Sequence, residues 1–304
     1  MSGQFPCKCT SFSHMLLIFA PTNWWINESN MRKYYFLPLL TIFFILSSCA
    51  SLSNYPGIGR IRRYTISSSQ VPAAFDGFRI AFASDFHLES KYKERHLMNT
   101  IRALQDEQPD LLLLGGDYQE GCQYVEPLFT ALGQVSPPFG TYAVLGNNDY
   151  ERCTDEIRNA MKENDIHLLE HELDTLTHNG QHLILAGVAN GFDLKRYATS
   201  PTAPLKDEDY VVMITHTPDY TEDADIVHTD LALAGHTHGG QITLFGWIVP
   251  KTASKYGRHF LTGLNYNTQG IPVTTSNGLG TSRKNIRAGA RSDIVIIILS
   301  HNKE

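Results

Sequence analysis

Residues 110–117 read DLLLLGGD. Four leucines in succession, with no polar alternation, suit a strand covered on both faces at the centre of a layered fold. The run then stops on two glycines and an aspartate. The same event recurs along the chain. Phe78 to Ala83 ends on Ser84-Asp85-Phe86-His87, and Thr141 to Leu145 ends on Gly146-Asn147-Asn148-Asp149. Tyr210 to Ile214 ends on Thr215-His216, and Leu231 to Ala234 on Gly235-His236-Thr237-His238. In layered α/β folds, ligand-binding groups collect at the carboxyl ends of strands. One such loop means little; five in one chain point to a shared site.

The remaining pattern fits an α/β fold. Leu97, Ile101 and Leu104 recur at helical spacing within 93–107, and further helices are predicted at 124–134 and 153–163. Gly133 and the Pro137-Pro138 pair close the second of these. Strands are predicted at 166–169, 173–177 and 182–187, the last two split by the turn His178-Asn179-Gly180. The tail adds IPVTTS at 271–276 and DIVIIILS at 293–300. The first half alternates strands and helices, and the second is strand-rich. No repeat or long linker divides the body, so 61–304 reads as one domain behind a short polar linker at 50–60. The chain is 42% hydrophobic and 18% charged, which argues against disorder. A net charge of −6 without a long basic stripe gives no expectation of a nucleic-acid partner.

The polar blocks supply seven donor groups: Asp85, His87, Asp117, Asn147, His216, His236 and His238. Singly, each has an ordinary explanation. Asp85 and Asp117 suit helix caps, the two histidines of GHTH a surface pair, and Asn147-Asn148-Asp149 a turn. Together they form a set of carboxylate, imidazole and amide oxygen with no thiolate. That mix suits Mn, Fe, Zn, Ni or Co rather than a Cys-rich structural zinc site. Seven groups exceed what one ion needs and suit two divalent metal ions if one carboxylate is shared.

At this point the blocks DFH (85–87), GGD (115–117), GNND (146–149), TH (215–216) and GHTH (235–238) resemble, in order, those of the calcineurin-like metallophosphoesterases. The resemblance runs from about residue 77 onward. GHTHGGQ and SNGLGTSRKNIR (276–287) are also similar to a subgroup of bacterial membrane-associated phosphodiesterases that includes UDP-2,3-diacylglucosamine hydrolases. The resemblance implies a four-layer α/β/β/α sandwich with the metals at its mouth. It assigns Asp85, His87, Asp117 and His238 to one ion, and Asp117, Asn147, His216 and His236 to the other, with Asp117 as the bridge. Water held between the ions would attack phosphorus in line with the leaving oxygen. Asp117, His216 and Asn148 would then stand nearest the chemistry.

Asn148 departs from the family pattern, which has histidine between the Asn and the acid. An amide donates a hydrogen bond but cannot act as a proton donor titrating near neutrality. That favours a phosphodiester or pyrophosphate substrate over a simple alkyl monoester, whose leaving group needs an acid most. Asp149 is expected to orient a ligand or a neighbouring loop from behind. Arg283 and Arg287 are the cationic candidates for substrate binding, the competing reading being a solvated basic turn. Tyr118 and Tyr150, each following a ligand block, are expected at the mouth.

The N-terminal part carries a different message. Residues 31–50 read MRKYYFLPLLTIFFILSSCA, two cations and then an apolar run short for a membrane span. This resembles a bacterial lipoprotein signal, cut before Cys49, which would then carry lipid. The alternative is a single uncleaved anchor. Residues 1–30 look like no signal and read as a leader upstream of a start at Met31. Of five cysteines, only Cys122 and Cys153 lie in the body, either paired or separately buried. The expectation is a membrane-associated hydrolase of the bacterial cell envelope, its substrate a small-molecule or lipid-linked phosphoester, a nucleotide sugar among the candidates. Two alternatives remain: a phosphomonoesterase or nucleotidase, and a non-catalytic metal-binding lipoprotein scaffold.

Overall fold

The computed structural model describes residues 54–244 and 248–302. The expected signal or anchor at 31–49, with Cys49, lies outside them. No helix among the described residues is long and apolar enough to cross a membrane.

Leu111–Leu114 is a strand buried along its whole length. In chain order the strands are β1 (Arg60–Ser68), β2 (Arg79–Ala83), β3 (Leu111–Leu114), β4 (Thr141–Ala143), β5 (Ile166–Leu168), β6 (Glu172–His178), β7 (Gln181–Gly187), β8 (Val211–Thr215), β9 (Leu231–Ala234), β10 (Gly263–Tyr266), β11 (Pro272–Thr275) and β12 (Asp293–His301). They form two six-stranded sheets, ordered β1-β12-β2-β3-β4-β5 and β10-β11-β9-β8-β7-β6. Alternation along single strands explains the stacking. Leu111 and Leu113 point into the core between the sheets, beside Ile80, Phe82, Val212, Leu233 and Ile297. Leu112 and Leu114 point the other way, into a core shared with helices.

Those helices are α1 (Glu94–Glu107), α2 (Val125–Leu132) and α4 (Thr154–Glu163), with the short α3 (Asn147–Glu151) before the last. Each buries one stripe: Leu97, Ile101 and Leu104 from α1, Leu128, Phe129 and Leu132 from α2, Ile157, Ala160 and Met161 from α4. The outer face of the second sheet is covered more lightly. Tyr220, Ile226 and Phe260 pack there, from loops and from the single-turn α6 (Tyr220–Asp223), which follows the similarly short α5 (Leu194–Tyr197). The architecture is the expected α/β sandwich of two mixed sheets with helices outside.

Topology makes the body indivisible. β12 lies between β1 and β2, parallel to the former over nine residue pairs and antiparallel to the latter. The first sheet therefore closes only when the last strand of the chain arrives. β6 and β7 form an antiparallel hairpin in which Asn179 and Gly180 both take positive φ, as its two-residue turn requires.

Sequence left the two body cysteines open; the structure pairs Cys122 with Cys153. The bond ties the segment after β3 to the residue just before α4, 31 positions on. Both tethered segments adjoin polar blocks that end β3 and β4. A loop of that length contributes about 2–4 kcal/mol through the unfolded state. Replacing both cysteines by serine is expected to lower the thermal midpoint in non-reducing buffer and to remove any effect of added reductant. An unchanged midpoint would contradict this.

Candidate metal centre

β2, β3, β8 and β9 run side by side in their sheets, and the loops after β2, β3, β4, β8 and β9 meet at one end. Asp117 stands at their centre. Its Oδ2 lies 3.4 Å from His87 Nε2 and 3.5 Å from His216 Nε2, while its Oδ1 accepts the backbone N–H of Asn148 at 3.0 Å. Around it, donor atoms of Asp85, His87 and His238 form one group and those of Asp117, His216 and His236 a second, each group within 4.8 Å. All seven predicted ligands except Asn147 fall in these two groups. Asn147 opens α3, with Asn148 next to it.

Five of the seven, Asp85, His87, Asp117, His236 and His238, have φ between 41° and 66°. Left-handed backbone is uncommon for residues with a side chain and costs energy at each position. Its concentration on the ligand positions marks loops shaped for the side chains they present. Close backbone packing holds them so. A Cβ on Gly146 would sit 2.1 Å from Asp117 Oδ1, and one on Gly278 would sit 2.4 Å from Asp85 Cβ. The SNGLG strip therefore fits directly behind the Asp85 loop, with Gly280 N–H donating to the Asp85 carbonyl at 2.7 Å.

Hydrogen bonds fix the tautomers and the loops. His216 Nδ1 donates to the Gly115 carbonyl at 2.7 Å, which turns Nε2 to the centre. His87 Nδ1 lies 2.7 Å from Glu120 Oε1, turning its own Nε2 inward. Asp85 accepts the His236 N–H at 3.0 Å. Asp149, fully buried, accepts the backbone N–H groups of Asp117 (2.7 Å), Gly146 (2.8 Å) and Tyr118 (3.1 Å), locking the β3 and β4 loops together.

Whether a cation fits is decided by the atoms left over. His87 Nε2 and Asn147 Oδ1 are among the buried polar side-chain atoms of the described residues that have no hydrogen-bond partner. A buried orphan donor or acceptor is costly and calls for an explanation. Both are good ligand atoms for borderline divalent ions, and His87 Nε2 faces Asp117 Oδ2 at 3.4 Å. The electrostatics agree. Burial opposes ionisation of Asp117, but the charges of His216 and His87 outweigh it and hold the carboxyl well below the usual range. Burial lowers His87 and His216, yet the Asp117 carboxylate beside both, with Glu120 bonded to His87, outweighs it, raising them to about 10 and about 9. Burial and the His216 charge push His236 down to about 3, and burial with the His87 charge holds His238 well below its ordinary value. These shifts show that the carboxylate at the centre favours positive charge beside it, which divalent cations supply without protons.

Residues 78–240 match the profile of the calcineurin-like phosphoesterases. The chain belongs to this family. An uncharacterized metallophosphoesterase of Aquifex aeolicus is 29% identical over 248 residues, covering 79% of this chain and 91% of that protein. The uncharacterized metallophosphoesterase YkuE of Bacillus subtilis is 27% identical, covering 78% and 84%. YkoQ of the same organism, also an uncharacterized metallophosphoesterase, is 30% identical, covering 71% and 81%. The chain is accordingly a metal-dependent phosphoesterase with two candidate metal-binding groups, as its family typically has two ions.

Three residues expected as substrate contacts or at the mouth are engaged by the protein itself. Tyr118 is fully buried in the helix-side core and its hydroxyl donates to the Val144 carbonyl at 2.7 Å, so it supports β4 and lines no opening. Tyr150 turns its hydroxyl to Glu170 at 3.4 Å, a carboxylate that Arg158 also holds. Arg287 spends its guanidinium on the carbonyls of Asn277 (3.1 Å), His238 (3.2 Å) and Gly280, clamping the SNGLG strip to the GHTH loop. Arg283 differs: it is exposed, and its charge is felt at His236.

Two residues beside the centre escaped sequence reasoning. Glu120 sits in the same GGDYQE block as Asp117, and its three-residue offset was the available signal. Phe192 follows the end of β7 and sets its ring edge-on to His236, with centroids 4.9 Å apart. Nothing in a lone Phe after Asn190-Gly191 points there. Because Glu120 orients only His87, Glu120→Gln is expected to weaken one of two metal-binding events by about 10–100-fold. Titration calorimetry with Mn or Zn should show the other event unchanged; equal weakening of both would contradict the assignment.

Proposed function

We propose that this metallophosphoesterase is a dinuclear phosphodiesterase that hydrolyses a phosphodiester or pyrophosphate bond. The carrying observation is position 148. The Asn148 side-chain amide lies 3.3 Å from His87 Nδ1 and its backbone N–H donates to Asp117, so it stands at the edge of the ligand cluster. Where the family pattern has an imidazole, this chain offers a donor with no titrating proton. A poor alkoxide leaving group is served badly by that; a phosphate or better-stabilised oxyanion leaving group needs no acid.

Asp85, His87, Asp117 and His238 would hold one ion, and Asp117, Asn147, His216 and His236 the other. When bound, two divalent ions supply positive charge to the phosphoryl oxygens and lower the pKa of water toward neutrality. The chain's own groups do the positioning. Asp117 spans the two ligand groups, His216 is fixed by Gly115 to present Nε2, and Asn148 donates to a phosphoryl oxygen. Arg283, exposed on the His236 side, meets a second anionic group of the substrate. That requirement suits a nucleotide sugar or a lipid-linked diphosphate.

The bacterial envelope is the proposed location, with the membrane reached through Cys49 lipidation or an anchor at 31–49. The Cys122–Cys153 disulfide supports it, since such bonds persist in oxidising compartments. The test is hydrolysis of bis(p-nitrophenyl) phosphate and p-nitrophenyl phosphate by metal-stripped protein resupplied with Mn, Zn, Ni or Fe. The diester is expected to be cleaved at least roughly tenfold faster, with Asp117→Asn inactive. Equal or faster monoester cleavage would favour a phosphomonoesterase and would overturn the reading of Asn148. Tight binding of ions without turnover would leave only a scaffold.

A further inference from the structure

We propose that a rim beside the metal centre docks on an anionic lipid surface through apolar side chains flanked by cations. It is built from two strips. Residues 241–244 run along 282–289: Thr243 N–H donates to the Ala288 carbonyl at 2.8 Å and Ala288 N–H to the Gln241 carbonyl at 2.9 Å. The Gln241 side chain joins them again, its Nε2 donating to the Ser282 and Lys284 carbonyls and its Oε1 accepting the Ser282 N–H. Leu244 and Ile248 then pair with each other in an antiparallel bridge.

This arrangement leaves large apolar side chains in the open. Leu244 is 54% exposed, Ile248 60% and Ile286 55%, with Ile242 less so. Arg283, Lys284 and Lys251 are exposed among them. Neither 241–244 with 248–251 nor 276–291 contains a single carboxylate, although the chain as a whole carries −6. A contiguous exposed apolar group marks an interaction surface. Its small extent argues against a folded protein partner, which engages about 20–30 residues a side. Branched apolar side chains beside long cations, with acids excluded, are what the boundary between headgroups and acyl chains accepts.

The position matters for the enzyme. Gln241 directly follows the His238–Gly240 turn, and the second strip begins at the glycines packed behind Asp85. A rim seated on a bilayer would bring the metal-binding loops to the headgroup layer. The rim would seat the protein whichever phosphoester bond it cleaves, and vesicle binding requires no turnover.

The test is amide hydrogen exchange of the full chain on vesicles of phosphatidylcholine alone and with phosphatidylglycerol. Amides of 283–288 are expected to exchange several-fold more slowly on the anionic vesicles, while buried β8 amides stay unchanged as the folding control. Leu244→Asp with Ile286→Asp should abolish that difference, and the exposed Lys284→Glu should reduce the occupancy behind it by roughly tenfold. Equal exchange on both vesicle types would overturn the proposal. So would protection that persists in the double variant. Protection that appears without lipid and grows with protein concentration would assign the rim to a second copy of the chain instead.

Discussion

The structure depends on one buried carboxylate. Asp117 caps no helix and pairs with no arginine; it faces two imidazoles with one oxygen and a backbone N–H with the other. An anion so placed is costly unless positive charge surrounds it. The fold meets that need by ending five strands at the same place and placing a ligand within one to four residues of each end. The central strand β3 sets Asp117 on the sheet axis, and Asp149 anchors its backbone from the next loop. Removing Asp117 would leave His87 and His216 facing each other without the charge between them.

The same constraint explains the loops. Left-handed backbone at Asp85, His87, Asp117, His236 and His238 would relax if the surroundings permitted. They do not, because glycines at 146 and 278 let neighbouring backbone press against the ligand side chains. The buried Asp293 secures the last of these strips, accepting from Ser276 and the Asn277 N–H and pairing with Arg62 at 2.6 Å. The last strand thus closes the first sheet and, through its first residue, holds the segment behind the centre.

Much of this was legible in the sequence. Continuous apolar runs marked the buried strands, since a strand covered on both faces has no polar alternation to hide it. The donor residues announced themselves by recurring at strand ends. Less visible were features that depend on long-range placement. β10, four residues at a sheet edge of which only Gly263 is buried, carries no apolar run. Tyr118 and Arg287 follow or adjoin motif residues, yet a strand end presents only alternate side chains to the site and sends the others into the core or backbone. Pairing of Cys122 with Cys153 required knowing that the β3 and β4 loops are neighbours. The proximity of Glu120 to His87 required knowing that the loops after β2 and β3 run side by side.

Everything at this centre depends on Asp117 being shared between two ions. Electron paramagnetic resonance of the protein titrated with Mn(II) tests this most directly. Two equivalents should bind per chain, and the second should convert the isolated-ion spectrum into that of an exchange-coupled pair, a conversion that Asp117→Asn abolishes. Saturation at one ion, or two ions whose spectra simply add, would contradict it.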